Sequence, residues 1–459
     1  MGSSIAALDL GTSKSIAFVV QKDFAGKKLS VLRAESFPSK NAMRRGRIYN
    51  SDETSDIIIK LIRKLNSAPN TMQIDKIYVG IGGQSLHTQL FKIKRIIDGE
   101  TIDNQLIKAM EEEANNYMPD FEENLGVVSR EYYADGQLVE NPKGTTASTI
   151  EARFQLVVGN PCLKRNLEKV FNKKEISVAG YFISPLATAE AVLTSEEKEL
   201  GCALVEFGDG VTYISIYKNK TVKYLATLPI GGLAITKDIR SLNVSETEAE
   251  ALKIDYGSAI SDLADSGVVP VNREDSSRKI ELKELNWIIE ARVDEIVKNI
   301  SAQIQVSGYE QLLDAGIVIT GGGALLRDLP KYIRNQTGKE VRLADAKAWM
   351  SRSDTAISPA DSCVIGLAIL GKENCTKEIK KEEPVLFDDK EMGVKEKEPK
   401  NQEKTDENEQ EKTQVKRHRP NIIRNSWNNF KGMFDDAADS VFEGKASDDN
   451  NDKNTANKQ

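Results

Sequence analysis

The chain has 459 residues, too many for one compact core, so two or more domains are expected. Its net charge of −7 argues against a dedicated nucleic-acid binder. Four scattered cysteines (Cys162, Cys202, Cys363 and Cys375) and two histidines (His87 and His418) make no CxxC pair or metal cluster, which fits free thiols in a reducing compartment.

Asp9 interrupts the only apolar stretch near the start, so no secretory signal is read there, and Met1–Ala6 lacks the hydroxyl residue that myristoylation wants at the sixth position. No run approaches the roughly 18–20 apolar residues of a membrane-spanning helix. A cytosolic protein is expected, unless some other device holds it to a membrane.

Residues 4 to about 85 read as α/β. Ile5–Leu8 and Ile16–Val20 are apolar strand patterns on either side of Asp9-Leu10-Gly11-Thr12-Ser13-Lys14, and Leu29–Ser36 can pair beside them. Asp52–Leu65 carries a helical stripe, and Ile74–Ile81 is another strand, ending at Gly82-Gly83. Residues from about 86 to 165 differ: a helix over Asp103–Met118, then strands near Val127–Tyr133, Gly136–Val139 and Ile150–Val158, which predicts a small α+β insertion. A helix (Cys162–Phe171), a strand (Glu175–Ile183) and a helix after Ser184-Pro185 follow.

A second glycine hairpin comes next: the strand Cys202–Phe207, then Gly208-Asp209-Gly210-Val211-Thr212. Gly231-Gly232 is a tight turn before a helix, and residues from about 235 to 308 are helix-rich, with a capped start at Ser245 and a long amphipathic helix over Leu285–Ile304. The strand Gly316–Thr320 leads into a third turn, Gly321-Gly322-Gly323-Ala324, then a helix, and the stretch ends in Ser358–Leu370.

The three turns carry the chemistry. Glycine permits positive φ and lets backbone N–H groups come close to a ligand, and consecutive N–H groups form a concave anion site. The first turn would offer N–H groups from Gly11 to Lys14 and the Thr12 and Ser13 hydroxyls to phosphate oxygens, with Asp9 placed to hold a hydrated Mg²⁺. The second repeats the logic, with Glu206 as the inward carboxylate and Gly208–Thr212 as the cradle. A triple-glycine turn offers a flat surface for an adenosine. Together they suggest a nucleotide gripped from two sides.

The set resembles the actin-like ATPase superfamily, and within it the bacterial cell-division FtsA family. The stretches that carry the second likeness are Arg45-Gly46-Arg47-Ile48, Asn141-Pro142-Lys143-Gly144, Ala249-Glu250-Ala251-Leu252-Lys253 with Tyr256-Gly257, Ile289-Glu290-Ala291-Arg292 and Gly316–Gly323. The resemblance implies an α/β, actin-like (ribonuclease-H-like) two-domain ATPase fold. Residues 1–85 with 166–198 would form the first actin-like subdomain, 86–165 the FtsA-type (1C) insertion, 199–234 with 309–373 the second actin-like subdomain, and 235–308 a helical subdomain. It implies ATP and Mg²⁺ as cofactors, Glu250 and Lys253 facing the ribose and base, and Gly321–Ala324 facing the adenosine. It also implies a self-polymer, FtsZ, later divisome membrane proteins and anionic inner-membrane lipid as partners, on the cytoplasmic face of the cell membrane at the septum. A PilM-like pilus assembly protein shares the fold and insertion; a sugar kinase of the superfamily is the other class, and no sugar pocket or catalytic Asp is marked for it.

The second loop of the family usually starts with Asp and has a further Asp after its Thr. Here those places hold Glu206 and Tyr213, and Asp209 sits between the glycines. The longer Glu206 would move a carboxylate by about 1 Å, enough to cost roughly 10²-fold in a positioned reaction. Nucleotide binding with slow or absent hydrolysis is therefore expected, Asp9 and Glu206 being the catalytic and, through water, the metal-facing candidates.

From about residue 374 the character changes. Residues 374–416 are rich in Lys, Glu, Asp, Gln and Asn and predict a disordered linker spanning about 35 Å. Residues 417–443 then read as an amphipathic helix, with Ile423, Trp427, Phe430 and Phe434 on one face and Arg417, Arg419, Arg424 and Lys431 supplying positive charge, suited to lie in the interface of an anionic membrane. Residues 444–459 read as a polar, disordered tail.

Overall fold

The computed structural model describes residues 3–378 except 24–25, 27, 68–71, 173–175, 264–266, 272–277 and 352–355. The charged segment from 379, the amphipathic stretch 417–443 with its membrane-facing residues, and residues 444–459 lie outside the described residues.

Two five-stranded sheets share one wiring. In the first, the edge-to-edge order is Ser177–Ile183, Lys76–Ile81, Ser4–Leu10, Lys14–Lys22, Leu29–Pro38. The first three strands run parallel, and the hairpin continues antiparallel to the edge. In the second, Val341–Leu343, Ile317–Thr320 and Cys202–Phe207 are parallel, and Thr212–Lys218 and Thr221–Leu228 continue antiparallel. The central strands are almost wholly buried, as expected where both faces of a sheet are covered, and so read as continuous apolar runs. Leu29–Pro38, on an edge, alternates instead. In each sheet the glycine turn sits at the carboxyl end of a central strand, where open α/β sheets place their ligands.

The helix Ser51–Asn66 is fixed by its ends. Asn50 accepts hydrogen bonds from the Asp52 and Glu53 backbone N–H groups (3.1 and 3.2 Å), and Arg63 and Lys64 lie in its last turn. In the second half, Ser245 and Glu248 form a capping box at the start of Glu246–Tyr256. The 25-residue helix Leu282–Val306 buries Ile289, Val293, Ile296, Val297 and Ile300 against the second sheet's core. The helices Ser184–Val192 and Ser362–Leu370 pack against one another so closely that a Cβ on Gly366 would stand 1.9 Å from the Ala187 carbonyl oxygen.

The stretch expected as an insertion holds a four-stranded antiparallel sheet, ordered Gln137–Val139, Glu123–Ala134, Thr149–Gly159, His87–Ile96, with the helix Asn104–Asn116. Phe154 lies at its centre with Tyr132 edge-on at 6.2 Å. Thr221–Leu228, the edge of the second sheet, docks here. The Leu225 backbone N–H donates to Thr88 Oγ1 (2.9 Å), Thr227 Oγ1 donates to the Leu86 carbonyl (2.7 Å), and Lys223 pairs with Glu131 at 2.6 Å.

Residues 374–378, expected to open the linker, are ordered. The Cys375 backbone N–H donates to the Ser4 carbonyl (2.7 Å), and Thr376–Glu378 pairs antiparallel with Met72–Ile74. Even a polar segment orders where a strand edge supplies its hydrogen bonds.

Candidate functional site

A cleft of about 690 Å³ lies between the two sheets, walled by both hairpin turns. Asp9, Gly11, Thr12, Ser13 and Lys14 line it from the first half. Glu206, Gly208, Asp209, Val211, Glu250, Lys253, Gly321, Gly322 and Gly323 line it from the second. Three expected site residues do not line it. Thr212 turns its hydroxyl to the Ile230 carbonyl (2.8 Å), Ala324 is buried behind the third turn, and Gly210 packs on Thr12.

The glycines are required for a different reason than the sequence suggests. Gly11, Gly208 and Gly210 do not take positive φ. A Cβ on Gly11 would stand 2.6 Å from the Lys14 carbonyl oxygen, and one on Gly208 would stand 2.7 Å from the equivalent Val211 oxygen, so both hairpins close too tightly for a side chain. On Gly210 it would strike Thr12 Oγ1 at 2.7 Å, which is where the tips of the two turns meet across the cleft. Of the third turn, Gly321 alone has positive φ (89°), and its Cβ position lies 2.4 Å from the Phe207 carbonyl oxygen.

Asp9 and Glu206 occupy matching places, Asp9 opposite Ile16 in the first hairpin and Glu206 opposite Tyr213 in the second. Burial, then the Asp9 charge, pushes the Glu206 carboxyl up to about 8, against a hydrogen bond with Thr188. Asp9 is raised as well, chiefly by burial, with the Cys363 thiol and Lys14 opposing. Glu206 Oε2 is shut from solvent with no hydrogen-bond partner among the described residues. Two crowded carboxylates and an orphaned oxygen suit a hydrated divalent cation, whose charge would let both ionise.

Lys253 spends its ammonium on the Gly232 carbonyl (3.1 Å), Thr236 Oγ1 (2.8 Å) and Glu250 Oε2 (2.8 Å). Burial alone would raise Glu250, but the Lys253 charge and hydrogen bond and the Thr236 hydroxyl hold it below the usual range. The pair thus forms a braced wall. Asp209, raised by burial against the pull of Lys253, keeps its Oδ2 shut in and without a hydrogen-bond partner among the described residues.

Backbone contacts add residues that side-chain reasoning passes over. The Gly232 and Leu233 N–H groups donate to the Gly208 and Asp209 carbonyls (3.0 and 2.9 Å), so the start of the helix Gly232–Ile239 braces the second turn. The Gly46 N–H donates to Thr12 Oγ1 at 3.0 Å. Leu326 and Arg327 also line the cleft, with no signal in the sequence to mark them.

The family model for "Cell division protein FtsA" matches residues 203–366, which include the second and third turns. The chain is 32% identical over 386 residues to the cell division protein FtsA of Porphyromonas gingivalis, covering 82% of this chain and 80% of that one. It is 31% identical over 374 residues to that of Neisseria meningitidis, covering 79% and 89%. Among solved structures, the PilM-PilN type IV pilus biogenesis complex superposes with a TM-score of 0.56 at 13% identity, covering 80% of this chain and 97% of that one, a likeness of fold alone. With the twice-used hairpin sheet and the cleft between its copies, these matches give the fold as actin-like, and the chain belongs to the FtsA family of cell-division proteins.

Proposed function

We propose that the cleft binds ATP with Mg²⁺, and that ATP-bound chains polymerise head to tail on the cytoplasmic face of the membrane, tether FtsZ and recruit later divisome proteins at the septum. The subdomain division given above is part of this reading. The observation that carries it is the pair of matching turns, Gly11–Lys14 and Gly208–Val211, which face one cleft with Asp9 and Glu206 at its floor. The phosphates fit the N–H groups of the turns other than that of Gly208, which donates to the Val211 carbonyl (2.9 Å), the cation fits the carboxylates, and the Gly321–Gly323 turn with Leu326 and Arg327 offers the remaining wall to a nucleoside. Family membership favours this over the pilus-assembly and sugar-kinase readings.

Hydrolysis is slow in this reading, because Glu206 reaches further than the Asp usual at its place. Phosphate release by the purified protein is expected well below about one per second, the low end of ordinary enzyme turnover, and no sugar should stimulate ADP formation. Turnover near that rate, abolished by Glu206→Ala, contradicts slow hydrolysis.

No helix among the described residues is long and apolar enough to cross a membrane. Membrane attachment is assigned, on the sequence pattern, to the segment around Ile423, Trp427 and Phe430, with Arg417, Arg419 and Arg424 supplying positive charge toward anionic headgroups. The full chain should pellet with anionic vesicles, and a chain ending after Glu378 should stay in the supernatant. Equal pelleting contradicts the anchor.

A further inference from the structure

Tyr213 ties the two halves together at the floor of the cleft. It stands opposite Glu206 in the second hairpin, so its ring shares the face that looks toward the first half. The ring is buried, and its hydroxyl accepts the Gly83 backbone N–H at 2.7 Å, a donor at the end of a first-sheet strand.

The hydroxyl sits in a socket of three first-half glycines. A Cβ on Gly82 would stand 2.7 Å from it and one on Gly46 would stand 2.9 Å away, while Gly83 itself has φ of 143°. The socket is braced, since the Gln84 N–H donates to the Arg45 carbonyl (3.1 Å) and the Gly46 N–H donates to Thr12 in the first turn (3.0 Å). Any opening of the cleft that separates the hairpin tips must draw the phenol out of this socket. Lys40 of the first half and Glu246 of the second also pair, at 3.3 Å, but both are well exposed, and such a pair holds little. Burial first, and then Glu206, push the Tyr213 phenol well above its usual range.

We propose that Tyr213 and the Gly46–Gly82–Gly83 socket form a latch that holds the cleft shut and so sets how fast bound nucleotide leaves. The proposal rests on the nucleotide reading above, and makes Tyr213 a positioning residue that need not touch the nucleotide.

The test uses the full chain loaded with Mg²⁺ and a fluorescent ATP analogue, chased with excess ATP. Tyr213→Phe keeps the ring and strands the Gly83 N–H, so release should speed up roughly tenfold, the scale of one buried hydrogen bond left unmade. Gly82→Ala, which crowds the socket, should speed release as well, and the double variant should release no faster than the quicker single one. Hydrogen exchange without nucleotide is the second arm. Residues 11–14, distant in sequence from Gly83 and belonging to the other half from Tyr213, should exchange faster in Tyr213→Phe because the cleft opens more often. Release and exchange both at the wild-type rate overturn the latch. If the wild type binds no analogue, the nucleotide reading fails, and the exchange arm alone decides: faster exchange at 11–14 keeps the latch as an interdomain clasp, and unchanged exchange removes it.

Discussion

Gly366→Ala is expected to destabilise the protein by about 3 kcal/mol or more, the upper range for overpacking a core. In an isolated helix the change would help, since alanine gains about 1 kcal/mol over glycine in helix propensity. The packing decides against it. The new Cβ would stand 1.9 Å from the Ala187 oxygen, 2.4 Å from its carbonyl carbon and 3.1 Å from the Thr188 nitrogen. All three are backbone atoms of Ser184–Val192, so no flexible side chain can yield, and the two helices must separate. The same pair brings Thr188 to Glu206 and Cys363 to Asp9, so the strain would reach the cleft floor. Urea unfolding measures the cost, and a loss below about 0.5 kcal/mol, the scale of a neutral surface change, contradicts the close helix contact.

Glu206→Gln is expected to stabilise the metal-free, nucleotide-free protein, and by more as pH rises. The folded-state carboxyl has a pKa near 8 against an ordinary 4.5. Between those values the folded chain holds a proton that the unfolded chain has released, so the wild type loses stability as pH climbs from 4.5 and bears the full penalty above 8. At about 1.4 kcal/mol per unit, a few kcal/mol should separate the curves at pH 8 and little at pH 4.5. Unfolding of both proteins in EDTA across this range checks the prediction, and parallel curves refute it.

Much of the fold is legible in the sequence because the strands that build it are buried on both faces. Ser4–Leu10, Lys14–Lys22 and Cys202–Phe207 announce themselves as apolar runs broken at glycine, and the paired turns point to a two-sided cleft. His87–Ile96 does not, since its lysines, arginine and glutamine leave no clear alternation beside a sheet partly open to solvent. The glycines are visible, but only part of their purpose: at Gly11 and Gly208 the constraint is a carbonyl three residues on in the same tight turn, whereas at Gly210 it is the Thr12 hydroxyl of the other half, which no local pattern encodes. Long-range partners are hidden for the same reason. Tyr213 is separated from Gly83 by 130 positions, and Lys223 from Glu131 by 92. The ordered end at Thr376–Glu378 is masked by its polar composition, because its hydrogen bonds come from Met72–Ile74, some 300 residues earlier in the chain.

The central claim is that one nucleotide is held by both hairpins at once. Hydrogen exchange of the full chain, with and without saturating Mg²⁺ and ATP, tests it most directly. Two-sided binding requires protection at residues 11–14, at 208–212 and at 321–324 together, since all three segments contribute to one cleft. Protection confined to one half, or none at saturation, would contradict it.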